Sequence, residues 1–131
     1  MQGNFSVQIG AFAGRHFIKS FEKKYKTKWD FTLQYIIEEL ARIDNLLLTS
    51  RAEIITDAGN IKIIKTKFRV VDTKESVKTS GNRCIVAWDT SKQTVSILLV
   101  YGKTDLSGKH ETTTWKALIK DNYKEYKNFW I

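Results

Sequence analysis

Hydrophobic and polar positions change their period repeatedly along this chain. "NFSVQIGA" alternates Phe5, Val7 and Ile9 with polar residues, the two-residue period of a strand. From Gly14 the spacing becomes helical. Phe17 and Phe21 stand four apart, Ile18 and Tyr25 lie on the adjoining stripe, and lysines surround them, which predicts an amphipathic helix over roughly 14–26. Thr27 and Asp30 each offer an N-cap for a second helix. Leu33, Ile36, Ile37, Leu40, Ile43 and Leu47 keep its period to about residue 48. The stretch 49–60 is polar, closes on the turn signal "DAGN", and reads as a connection. The two-residue period then returns and predicts strands at 61–71, 83–89 and 94–102. "DTKESVKTSGN" joins the first two as a long polar loop, whereas "DTSKQ" is short enough for a hairpin. The tail "TTTWKALIKDNYKEYKNFW" is helical, with Trp115, Leu118 and Ile119 as its apolar stripe. The order β-α-α-β-β-β-α predicts an α+β fold: a small antiparallel sheet packed against an N-terminal helical hairpin, with an additional C-terminal helix.

Length and composition narrow the picture. The 131 residues suit one domain, 1–131, able to bury about two thirds of its unfolded surface. The longest apolar run, "VSILLVY" at 95–101, has strand length and cannot span a membrane. The N-terminus lacks the basic start and apolar stretch of a signal peptide, and a lone cysteine, Cys84, forms no internal disulfide. These features point to the cytoplasm.

The net charge of +8 is segregated along the chain. Residues 14–29 carry six Lys/Arg against one acid, 30–60 two against six, and 61–109 ten against four. A basic face suits a polyanion, nucleic acid being the commonest; the plainer reading is that the charge keeps the protein soluble. The sharpest local signal is "KIIKTKFRVV" (62–71), where Lys65, Lys67 and Arg69 recur every second residue between mostly apolar ones. On a strand they share one face. Alternating lysines also serve as a solvated face or as edge protection.

Other chemistry finds little support. His16, His110 and Cys84 form no close-spaced ligand pair, so neither a metal nor a cofactor is expected. Cys84 lies in the apolar "CIVAW", where a cysteine acts as a small buried hydrophobe. No glycine loop has phosphate-binding spacing. Arg83 opens the strand after the cationic row, and Lys103 follows the next one. Converging cations would neutralise RNA phosphates and stabilise the extra charge of a phosphorane. RNA supplies its own nucleophile, the 2′-hydroxyl, so cleavage then needs only a base and an acid. His110, in "SGKHET", or a lysine with a depressed pKa could fill either role.

These residues also resemble a family. "FIKSFEKKYK", a second helix, Lys65-Thr-Lys67-Phe-Arg69, Lys78-Thr-Ser-Gly-Asn-Arg83 and Tyr101-Gly-Lys103 follow one another in the order seen in the RelE/ParE superfamily of bacterial toxins. The resemblance covers roughly residues 15–106 and implies a RelE-like fold. RelE-type members cleave mRNA without a metal, usually on the ribosome, and are restrained by a cognate antitoxin. By position it implies phosphate binding and proton transfer for Lys65 and Lys67, and phosphate stabilisation for Arg83. It implies an acid in the region of His110, and RNA contacts at Arg69, Lys78 and Lys103. Asn82 stands where an aromatic is usual, and Thr104 where many members carry a second arginine. Trp88 or Trp115 could stack a base in its place, core packing being the plainer reading for both. Two other readings remain open: a ParE-like inhibitor of DNA gyrase, and a non-catalytic RNA-binding module.

Overall fold

A computed structural model describes residues 4–71, 73, 74, 81–102 and 111–126. The elements run β1 (Ser6–Ile9), a π-helical segment (Ala13–Ile18) continuing into α1 (Lys19–Tyr25), α2 (Thr27–Leu40), α3 (Ile43–Leu46), β2 (Ala52–Asp57), β3 (Ile61–Lys67), β4 (Arg83–Asp89), β5 (Thr94–Tyr101), α4 (Glu111–Asn122) and a short 3₁₀ turn (Lys124–Tyr126). The five strands form one sheet in the order β1-β5-β4-β3-β2. It is antiparallel except at one edge, where β1 runs parallel to β5.

Both faces of the sheet are covered, by different parts of the chain. On one face Ile64, Cys84, Val86, Val95 and Ile97 form a core with Ile18, Phe21, Trp29, Ile36 and Leu40 of the N-terminal helices. On the other, Ile63, Ile85, Ala87, Leu98 and Leu99 pack with Trp115 and Ile119 of α4. Both α4 residues are fully buried, as their helical spacing predicts. Tyr123 fastens the end of this cover. Its hydroxyl donates to the Leu98 carbonyl (2.7 Å) and accepts from the Ala13 amide (3.1 Å).

The expected elements shift in three places. The polar stretch 49–60 contains a strand, β2. Its exposed and half-buried residues read as loop because it is an edge strand, with Glu53 and Asp57 facing solvent. The strand expected over 61–71 ends at Lys67. Ala52 is the last β2 partner, opposite Thr66, and Arg83 the last β4 partner, opposite Lys67. Phe68 and Val70 stay apolar because the helices bury them, and Thr32 on α2 accepts the Val71 amide at 2.9 Å. The second helix carries no side-chain cap from Thr27 or Asp30. Its junction with α1 is made by Lys26 at φ +53°, and the helix stops at Leu40 before the short α3.

Candidate RNA-cleavage site

The cationic row lies on the α4 face. Pairing places Lys67 opposite Arg83 and Arg83 opposite Tyr101, so the three side chains share that face on β3, β4 and β5. Lys65 sits one step along the same row, opposite Ile85. Thr66 points the other way, is buried, and donates its hydroxyl to the Cys84 carbonyl at 3.1 Å. The lysines therefore project from a backbone held by pairing on both sides, which limits their freedom near the Cα atoms.

A register irregularity on β5 brings Tyr101 into this row. Val86 pairs with Ile97, yet Ile85 pairs with Leu99, leaving Leu98 as an extra residue. Without the bulge Arg83 would face Val100, and Tyr101 would fall on the opposite face.

Glu111, the first residue of α4, reaches over the sheet. Its Oε2 lies 3.3 Å from Lys65 Nζ and 2.5 Å from the Tyr101 hydroxyl. Partial burial raises the Glu111 pKa, but the Tyr101 hydrogen bond and the charges of Lys65 and Arg83 outweigh it and hold the carboxyl below its ordinary value. Burial and the Glu111 hydrogen bond raise the Tyr101 pKa, so its proton is retained. The site thus combines cations, an ionised carboxylate and a protonated phenol. Read from the sequence, Glu111 has no role, lying in the polar stretch "SGKHET" ahead of the expected tail helix, and Tyr101 is marked only as the aromatic of Tyr101-Gly-Lys103.

The remaining candidates divide. Arg69 lies beyond the end of β3, exposed, with its guanidinium donating to the Thr73 carbonyl at 3.3 Å, so it does not extend the strand row as expected. Beside it, a cleft of about 190 Å³ opens between α2 and the end of β3 and contains the Arg51–Glu39 ion pair (2.5 Å). Lys78, Lys103 and His110 lie outside the described residues, as does Thr104. Trp115 is buried under α4, and Trp88 packs against Phe5 on the opposite face, so neither is a stacking surface for this site. Asn82 is buried and offers no platform either. Burial pushes the Cys84 thiol up to about 12, which suits a core residue and not a nucleophile. Among the described residues no cluster of three or more His, Cys, Asp or Glu could hold a metal ion, and no helix is long and apolar enough to cross a membrane.

Neither a protein-family model nor a curated protein sequence matches this chain. Among solved structures, a chain in the crystal structure of the archaeal RelE-RelB complex from Pyrococcus horikoshii OT3 is similar. Its TM-score is 0.54 at 12% identity, covering 79% of this chain and 99% of that one. At that identity the likeness concerns architecture: the protein has a RelE-like fold.

Proposed function

We propose that this protein is the toxin of a toxin–antitoxin pair and an endoribonuclease of the RelE type, cutting mRNA on the ribosome in the cytoplasm. The observation that carries this reading is the juxtaposition of Lys65, Lys67 and Arg83 on one sheet face, in a fold like that of a RelE-RelB chain. Lys65 and Arg83 bind the scissile phosphate, and Arg83 stabilises the charge that builds on it. Lys67 protonates the departing 5′-oxygen. Lys78, Lys103 and Arg69 contact flanking phosphates, and His110 is a further proton carrier. The 2′-hydroxyl is the nucleophile, so the reading requires no metal. A cognate antitoxin would cover the basic face with an acidic segment.

The test is induction in a bacterial host, following protein synthesis and mapping mRNA 5′ ends. Translation should stop first, with new 5′ ends inside messages. Lys67→Ala combined with Arg83→Ala should abolish them. Cleavage that survives the double substitution removes this site. Replication arrest with DNA damage as the first effect would favour a gyrase inhibitor. RNA bound with steep salt dependence, yet left intact with ribosomes present, would favour a binding module.

A further inference from the structure

The cationic reading leaves Glu111 without a role. A surface built only to hold phosphate is weakened by a carboxylate 3.3 Å from one of its lysines. The fastening of α4 is accounted for by Trp115, Ile119 and Tyr123. Among the described residues, the groups that face Glu111 are Lys65 from β3, Arg83 from β4 and Tyr101 from β5. Glu53 on β2 stands opposite Lys65 at the sheet's edge.

We propose that Glu111 is the general base of RNA cleavage, taking the proton of the 2′-hydroxyl beside the phosphate held by Lys65 and Arg83. This inference rests on the nuclease reading above. The 2′-oxygen gives its proton to the Glu111 carboxylate and forms a bond to phosphorus. The bond from phosphorus to the 5′-oxygen breaks, and that oxygen receives a proton from the Lys67 ammonium. The products are a 2′,3′-cyclic phosphate and a 5′-hydroxyl. Glu111 then releases its proton to water and Lys67 regains one.

Three observations support the assignment. Among the described residues Glu111 is the carboxylate that reaches both Lys65 and Tyr101, and the Tyr101 hydrogen bond with the charges of Lys65 and Arg83 holds it ionised. Both of its contacts among the described residues fall on Oε2, leaving Oε1 open as a proton acceptor. Its side chain is 36% exposed, so a substrate can reach it. Tyr101 is a positioning residue, fixing the carboxylate by donating to Oε2.

The experiment uses the full-length protein with a model mRNA on translating ribosomes, and the same mRNA carrying 2′-deoxy at the cut site to read binding alone. Wild type should leave a cyclic phosphate, and its kcat/KM should fall on an acid limb. Glu111→Gln should lower kcat by 10²–10⁴-fold, abolish the acid limb, and bind the deoxy substrate as tightly or more tightly. Glu111→Asp should recover part of the rate, Tyr101→Phe should move the acid limb to higher pH, and Glu53→Gln should cleave normally. Glu111→Gln cleaving at the wild-type rate or faster would overturn the base assignment and leave the nuclease reading standing. A wild-type profile without an acid limb would do the same, whatever the variants' folding. A wild type that leaves the mRNA intact would overturn both.

Discussion

Lys67 and Arg83 stand directly opposite each other on β3 and β4, two cations on one face of an antiparallel pair. Like charges in this position oppose sheet formation, by roughly 0.2–1 kcal/mol. Lys67 makes no ion pair with any described residue to offset that cost, and the neighbouring Glu111 is engaged with Lys65. Lys67→Thr, which keeps a good strand former, is therefore expected to stabilise the fold by up to about 1 kcal/mol. mRNA cleavage should fall in the same variant. Urea midpoints beside 5′-end mapping check the two together, and a loss of stability would contradict the like-charge account.

The Glu111–Tyr101 contact makes stability depend on pH at both ends. Glu111 is held below its ordinary value, so its contribution is complete above the unfolded carboxyl value of about 4.3 and is lost as pH falls through the folded value. Tyr101 is raised, so its contribution is complete below about pH 10 and is lost as pH climbs through its folded value. Chemical denaturation from pH 7 down to pH 3 should show the difference between wild type and Glu111→Gln shrinking on acidification. A difference that stays constant would mean the carboxylate charge is not what stabilises.

Gly10 has no room for a side chain. A Cβ there would meet the Tyr123 hydroxyl at 2.5 Å and the Ile97 carbonyl oxygen at 2.7 Å. Gly10→Ala should cost about 1–3 kcal/mol through overpacking. Tyr123→Phe should cost a similar roughly 1–3 kcal/mol, because the Ala13 amide and Leu98 carbonyl lose their partner. In the double variant the penalties should sum to less than the two singles, since removing the hydroxyl relieves part of the clash. The Ile97 carbonyl remains, so relief should be incomplete. A thermal-denaturation cycle measures the coupling.

Lys26 joins α1 to α2 at φ +53°, ψ −120°. Glycine adopts this region freely, whereas an L side chain is strained there. Lys26→Gly is expected to raise stability by about 1 kcal/mol despite glycine's greater unfolded entropy, read as a higher melting temperature. A lower one would mean the junction gains more from the lysine than from relief of strain.

Legibility in the sequence followed periodicity. Helix α4 was readable because one stripe, Trp115 to Ile119, is buried and the rest is not. Strand β3 was readable because Lys65 and Lys67 alternate with residues the core takes in. Strand β2 was not, since the bulge between Ile54 and Thr56 breaks its two-residue alternation and its exposed edge carries Glu53 and Asp57 among its apolar residues. The end of β3 was also hidden: Phe68 and Val70 keep the alternation while helices, not strands, bury them.

The sequence by itself determined which residues carry charge, which must be buried, and that Lys65, Lys67 and Arg83 can share a face. Only the tertiary structure decided that Tyr101 and Glu111 join them. "VSILLVY" is buried on both faces of the sheet, so it shows no alternation from which a direction could be read. The extra residue at Leu98 sets the parity, and turns Tyr101 toward α4. Glu111 reaches Lys65 across 46 positions of chain because α4 packs Trp115 and Ile119 onto that face. Side-chain direction on a doubly buried strand, and contact across such a separation, are fixed by pairing and packing, which local pattern does not encode.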